Sequence, residues 1–301
     1  MNMLTQLKGA LSGYRMLQSV VFFLMTTVSG LLIFCNRPLE SRDNEVVTFG
    51  VLNVGQGLSQ ILQQGSHALL FDTGTDDTAT SWINAWRQAG SPYIEAVIIS
   101  HRDLDHAGGL LFLDKAVNWS GRLVTGKWED TSFIRSCCRN WPGRLSISTI
   151  GQNDTIFFAE NIQIVCRWPP DSPPTVLPAA DSQTNEHSLV MHLRYGNTAV
   201  LLTGDIDSSV ARILCDRYKA GLRADLVVVP HHGSASSVYP LLYGYVRPLN
   251  AIISCGRDNR YGHPAQETID MLARMGINWH STAGGESFYY RSNAFYWEAG
   301  Y

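Results

Sequence analysis

Histidine and carboxylate side chains crowd one short stretch of the chain, Ser100-His101-Arg102-Asp103-Leu104-Asp105-His106-Ala107-Gly108-Gly109. His101, Asp103, Asp105 and His106 offer imidazole nitrogens and carboxylate oxygens, the donors that a hard or borderline divalent cation takes. The stretch follows directly on the apolar run Ala96-Val97-Ile98-Ile99. A strand that stops at such a cluster delivers a metal site to the rim of a sheet. The alternative is a polar loop whose charges face water. The metal reading is favoured because matching residues recur after other apolar runs: Asp205 after 199–203, His231 and His232 after 225–230, and His263 after 250–254. His232 and Ser234 sit beside a candidate ligand, where either could contact a phosphate oxygen or protonate a leaving group. His232 could equally pack or bond the backbone. Asp72 ends a strand nearby and reads as an orienting or turn-forming residue more than a ligand.

The elements that must position these groups are legible as a coarse pattern. Residues 46–54 read as a strand, 55–57 as a turn, and 58–63 with 68–72 as further strands. Residues 81–89 have helical spacing and end at Gly90. The strand at 95–100 delivers the cluster. Residues 118–145 read as irregular. They carry Arg122, Lys127, Arg135, Arg139 and Arg144 interleaved with Trp119, Trp128, Phe133 and Trp141. Cations beside aromatics would suit an unpaired nucleic acid strand, and the alternative is an ordinary solvated loop with its tryptophans partly buried. Strands resume at 155–168, and the Pro-rich 169–178 is a loop. A strand pair covers 188–193 and 199–203, and a helix 207–220. Strands at 225–230 and 250–254 follow, then a helix over 265–275 and two short closing strands. Two sheets with helices outside them would suit a four-layer α/β/β/α sandwich.

From Met16 to Cys35 the chain runs 20 residues without a charge, enough for a helix to cross a bilayer. We therefore expect residues 1–36 to be an N-terminal segment with one membrane helix, 37–45 a polar linker, and 46–301 a single large domain. A cleaved signal peptide and a buried helix are the alternatives, although no small-x-small cleavage site is evident. Basic residues number two on each side (Lys8 and Arg15 before, Arg37 and Arg42 after), so they do not fix the orientation. With Lys8 and Arg15 inside, the domain lies on the outer, periplasmic side.

The 301 residues are 45% hydrophobic and 16% charged, which supports a packed core and argues against disorder. The formal net charge of -3 gives no global attraction to nucleic acid, so polyanion binding must come from a local patch or bound metal. The six cysteines, Cys35, Cys137, Cys138, Cys166, Cys215 and Cys255, lack zinc-ribbon spacing and read as buried or free thiols.

The chain resembles the metallo-β-lactamase superfamily, and more closely its ComEC-like branch, the hydrolase domain of bacterial DNA-uptake channels. The segments that carry the resemblance are Asn53–Gly57, Asp72–Gly74, Ser100–Gly109, Asn185–Val190 with Leu201–Asp205, Pro230–Ser234 and Asn259–Pro264. Their order is that of the family, and they span nearly all of residues 46–290. Asp103 stands where the superfamily's most familiar signature has a second His, which the ComEC-like branch often replaces by Asp. Asn53 stands where Asp is common. The third superfamily motif, usually His, falls near Asn185, with His187 close by. Family members also carry a long multi-helix membrane region and another small domain, whereas this sequence has one apolar segment. It could be a piece of a longer channel protein or an anchored relative.

The resemblance implies two divalent ions, manganese, zinc or magnesium. His101 and Asp103 would bind one with a downstream group such as His231; Asp105, His106 and His263 would bind the other; and Asp205 would bridge both. Two such ions, roughly 4 Å apart, activate water and stabilise an in-line displacement, and catalysis should depend above all on Asp105. The carboxylates tilt the set towards manganese or magnesium. The implied function is a metal-dependent phosphodiesterase, a nuclease acting on single-stranded DNA during uptake at the bacterial cytoplasmic membrane, with a channel or other competence proteins as partners. The alternatives are a hydrolase of a nucleotide, lactone or β-lactam, and a non-catalytic module of a transport channel.

Overall fold

The computed structural model describes residues 46–300, apart from 76–78, 89, 114–116, 140, 142, 160 and 173–184. The expected membrane helix at 16–35 and the linker at 37–45 lie outside the described residues. Among the described residues, no helix is long and apolar enough to cross a membrane. The described residues belong to one compact unit, Glu45–Tyr301.

Two mixed sheets organise this unit. The first begins as an antiparallel meander, β1 (Val47–Val51), β2 (Gln60–Gln64) and β3 (His67–Phe71). After helix α1 (Ala79–Gln88) the chain returns as β4 (Tyr93–Ile99), parallel to β3. The short helix α2 (Leu104–Ala107) then leads to β5 (Arg122–Gly126), helix α3 (Thr131–Cys137) and β6 (Ser146–Ile150), with β4, β5 and β6 parallel. The C-terminal hairpin, β14 (Phe288–Ser292) and β15 (Trp297–Gly300), adds to the far side of β1, giving the order β15-β14-β1-β2-β3-β4-β5-β6.

The second sheet takes β7 (Thr155–Phe158), β8 (Ile162–Trp168), β9 (Val190–Tyr195) and β10 (Thr198–Leu202) as an antiparallel run. Helix α4 (Ser208–Tyr218) then crosses to β11 (Leu226–Val228), helix α5 (Pro240–Val246) to β12 (Asn250–Ile253), and helix α6 (Gln266–Arg274) to β13 (Asn278–Ser281), all parallel to β10. The order is β13-β12-β11-β10-β9-β8-β7.

Three apolar clusters show how the layers stack. Phe49, Leu62, Leu69, Ile98, Ile164, Leu193, Val200, Val228 and Ile252 pack between the two sheets. Trp82, Trp86, Val97, Ile99, Leu110 and Ile134 pack the first sheet against α1–α3. Val210, Leu214, Leu242, Val246, Ile253 and Leu272 do the same for the second sheet and α4–α6. Three interfaces make four layers, the α/β/β/α sandwich expected. Strands with both faces covered read as continuous apolar runs, as in Ala96-Val97-Ile98-Ile99.

Residues 118–145 are not irregular throughout. They contain β5 and α3, the helix opened by Asp130, whose carboxylate accepts from the Ser132 amide at 2.9 Å. Their tryptophans are packing residues. Trp119 is 5% exposed and lies 4.8 Å from Trp141, ring centre to ring centre. Trp128 meets Trp168 edge-on. The tryptophans are thus wholly or partly buried, as the alternative reading has it, and they lend base stacking on this segment little support. Arg135 and Arg139 remain exposed.

Candidate metal centre

The carboxyl ends of β4, β10, β11 and β12 open on one rim, where open α/β sheets place their ligands. His101 follows β4, and α2 carries Asp105 and His106. Asp205 follows β10, His231 and His232 follow β11, and His263 lies in the loop after β12. The chain approaches itself closely here: a Cβ on Gly57 would sit 2.6 Å from the Asp105 carbonyl oxygen, and one on Gly204 2.8 Å from the Ser188 Cβ. Both glycines also have positive φ, so side chains are excluded at these positions by space and by backbone.

Three imidazoles are fixed in the same sense. The Asp72 carboxylate accepts from the Ser100 amide (2.7 Å), the Ser100 hydroxyl (2.8 Å) and the Nδ1 of His106 (2.9 Å). The Ser254 carbonyl can only accept, so the Nδ1 of His232, 2.8 Å away, carries the proton. The Ser100 hydroxyl has given its hydrogen to Asp72 and is left to accept from the Nδ1 of His101 at 3.0 Å. Each ring therefore keeps Nδ1 for the scaffold and turns Nε2 inward, the arrangement of a metal-binding histidine steadied through its other nitrogen. All three Nε2 atoms, and Oδ1 of Asp205, are buried without an aligned hydrogen bond. These orphaned atoms are what a divalent ion would satisfy.

Ligand atoms gather in two groups, each within 4.8 Å: His101, His106 and Asp205, and Asp105, His106 and His232. Nε2 of His106 is 3.1 Å from Asp205 Oδ1, and Nε2 of His232 is 3.3 Å from Asp105 Oδ2 and 3.4 Å from Asp205 Oδ2. The second group holds His232 in the place expected for His263, which lies outside, its ring parallel to that of His232 at 6.3 Å. Asp103 is 3.6 Å from His101 Nε2. His231 is 3.9 Å from Asp205 and accepts from Asn185 Nδ2 at 3.3 Å. His187 points elsewhere, to Glu129 at 3.5 Å. The Ser234 hydroxyl is turned to its own chain, where it caps the turn at Ala235–Ser237.

Electrostatics bind these groups into one unit. Burial favours a neutral His106, but Asp205 and Asp72 outweigh it and raise its pKa well above the ordinary value. Burial likewise opposes charge on His232, and Asp205 and Asp105 overcome it, raising its pKa to about 9. Burial would raise Asp105, yet His232 and His106 hold it at about 2, and Asp205 is held well below its ordinary range in the same way. Protons thus occupy the places between carboxylate and imidazole that ions would take, and binding an ion would expel them. His263, its ring half-buried, is pushed down by burial and by His232 and His231.

Of the ligands the sequence suggests, His101, Asp105, His106 and Asp205 fall in these two groups, Asp103 and His231 lie beside them, and His263 lies outside; Asp72 stands where an orienting residue would. Two supporting residues are not marked in the sequence: Ser254, whose carbonyl fixes His232, and Ser188, whose hydroxyl lies 3.2 Å from His101 Nδ1 and accepts from the Asp205 amide at 3.0 Å. Neither has a sequence signal beyond standing at or near a strand end.

Residues 52–134 match the model of the metallo-beta-lactamase superfamily. Competence protein ComA of Neisseria gonorrhoeae is 28% identical over 245 residues, which cover 80% of this chain and 31% of that protein. Recombination protein 2 of Haemophilus influenzae is 29% identical over 251 residues, 81% of this chain and 29% of that protein. The protein YcaI of Escherichia coli is 27% identical over 270 residues, 85% and 31% of the two chains. The chain thus spans 29–31% of the length of these curated relatives. The metallo-beta-lactamase fold protein YhfI from Bacillus subtilis superposes with a TM-score of 0.53 at 12% identity, covering 81% of this chain and 99% of that one, a likeness of fold.

Proposed function

Because this chain carries a metallo-β-lactamase domain and has competence proteins among its relatives, we propose that it is a metal-dependent phosphodiesterase, a nuclease of single-stranded DNA linked to DNA uptake. The observation that carries the reading is the convergence of the buried Nε2 atoms of His101, His106 and His232, none with an aligned hydrogen bond, on the carboxylates of Asp105 and Asp205. In this reading His101, Asp103, Asp105, His106, Asp205 and His232 hold two divalent ions, with His231 and His263 at the margin. Bound ions supply Lewis acidity, which activates water and stabilises developing charge on phosphate oxygens. The protein's own work is orientation. Asp72 and Ser254 lock the imidazoles, and the closely packed Gly57 and Gly204 hold Asp105 and Asp205 against them. His232 serves as a ligand and not as a proton donor, since its Nδ1 is committed to Ser254 and its Nε2 faces two carboxylates. Residues 16–35 anchor the domain at the inner membrane as a single span, with the domain on the periplasmic side, where incoming DNA and a channel partner would meet it.

The test is a nuclease assay on the full chain with single-stranded DNA and manganese, magnesium or zinc. The parent should cleave, and Asp105→Ala should not. Cleavage by the variant at the parent's rate would remove the site assignment. Turnover of a lactone or β-lactam without cleavage of DNA would move the chain to small-molecule hydrolysis.

A further inference from the structure

The loop between β12 and α6 ends in a sequence of rings that leads out of the metal centre. Asn259 folds the loop, its Oδ1 accepting from the amides of Tyr261 (3.2 Å) and His263 (3.0 Å) and its Nδ2 donating to the Gly256 carbonyl (2.9 Å). Between the two rings Gly262 has a φ of 69°, a conformation open to glycine. The Tyr261 and His263 rings consequently lie nearly parallel, 5.7 Å apart at 22°. His263 in turn is nearly parallel to the buried His232, at 21°. Three nearly parallel rings thus follow one another from the buried His232 to the exposed Tyr261. Tyr261 ends the line and is 51% exposed.

A cation stands on this last ring. The Arg260 guanidinium carbon is 4.8 Å from the Tyr261 ring centre, and its Nη2 donates to the phenol oxygen at 2.6 Å. The Tyr261 phenol, and more distantly Asp105, favour the charged form of Arg260. Arg260 is itself exposed and has the length to leave the ring. Leu104, 58% exposed on α2 between Asp103 and Asp105, adds an apolar surface at the same rim. A half-exposed aromatic ring, an exposed guanidinium able to leave its face and the proposed phosphodiesterase centre are together the parts that hold an unpaired nucleotide: bases stack on aromatic rings, and cations neutralise the backbone. The tryptophans of 119–141 offer less surface, Trp119 being buried and Trp128 and Trp141 half-buried.

We propose that Arg260 and Tyr261 form a subsite for one unpaired nucleobase and its phosphate, the base stacking on Tyr261 as Arg260 turns to the phosphate. The subsite rests on the phosphodiesterase reading and adds to it a reason for preferring single strands, because a base inside a duplex cannot reach the ring.

The test compares KM for cleavage of an oligothymidylate with KM for the same strand made abasic, using the metal-loaded full chain. For the parent, KM should be lower for the strand with bases. Tyr261→Ala should raise KM for the oligothymidylate about tenfold and bring the ratio of the two KM values towards one, while Tyr261→Trp should keep the ratio. Arg260→Ala should raise KM on both strands and reduce the dependence on log salt by about one unit of slope, with Arg260→Lys retaining it. Equal weakening on both strands in Tyr261→Ala, or no change on either, overturns the base subsite. An unaltered salt slope in Arg260→Ala overturns the phosphate contact. If the parent cleaves neither strand under any of the three metals, the phosphodiesterase reading falls and takes the subsite with it.

Discussion

The two sheets contribute to the same centre by opposite means. The first sheet supplies its groups from one loop: His101, Asp103, Asp105 and His106 follow β4 within six residues, and α2 sets Asp105 and His106 by its own geometry. The second supplies single groups from the ends of separate strands, Asp205 after β10 and His232 after β11, with His263 beyond β12. The first arrangement is held by hydrogen bonds to Asp72 and by the contact of Gly57 with the Asp105 backbone. The second depends on backbone conformation: His231 and His232 are consecutive residues with φ of 50° and 55°, a region in which non-glycine residues are strained. A clustered site is written into local sequence, whereas a dispersed one is written into topology.

Asp205 is where the comparison breaks most completely, because it is the second sheet's carboxylate facing both His106 and His232. Asp205→Ala should lower metal-dependent hydrolysis by more than about a hundredfold, beyond the 10–100-fold typical of an outer partner, and should reduce metal content measured by elemental analysis. Retained metal and activity would show that the first sheet suffices.

His192 provides a buried histidine of the second sheet outside the centre. Burial, joined by Arg167 and Arg194, lowers its pKa to about 4, and Arg167 Nη2 lies 3.4 Å from its Nδ1 while its Nε2 donates to the Arg223 carbonyl at 2.9 Å. The unfolded chain then binds a proton that the folded chain refuses. The stability this neutral ring contributes is present above about pH 6.5 and is lost as pH falls towards 4, by about 3 kcal/mol. His106 and His232, whose pKa values are raised, contribute stability that is already complete below pH 6.5, so they do not mask this window. His231 and His263, whose pKa values are also lowered, lose stability in the same window, so denaturant unfolding of metal-free protein between pH 7 and 4 should show a clearly smaller loss in His192→Gln than in the parent; equal slopes would remove the assignment.

Asp72→Asn sharpens the contrast from the first sheet's side. It leaves every proposed ligand in place and weakens the grip on His106 and Ser100. Metal affinity by competition with a chelator should fall about 10–100-fold, less than for Asp205→Ala. The smallest effect belongs to the α3 face. Replacing Arg135 and Arg139 together by Ala should weaken DNA binding at low salt by a few-fold and vanish at high salt, as a diffuse electrostatic contribution would. Undiminished affinity at low salt would leave that face without a part in binding.

The same contrast explains what the sequence discloses. His101, Asp105 and His106 were readable because a helix of four residues needs no distant information to bring them together. Asp72 was readable because it ends a strand next to them. His232 was not separable from His231, since adjacent residues carry the same local signal. Only the left-handed turn decides that His232 is 3% exposed and faces Asp105. Within 118–145, β5 is five residues long and α3 seven, too short for periodicity to emerge, and charged residues between tryptophans leave packing and a binding stripe alike in sequence.

His106 and Asp205 face each other across the gap between the sheets at 3.1 Å. An ion held there is a rivet through both halves of the sandwich. Its binding energy would add to folding stability by mass action, and the halves could not part without releasing it. Loss of metal would therefore loosen the seam along the strand ends first, at the mouth that must admit a substrate.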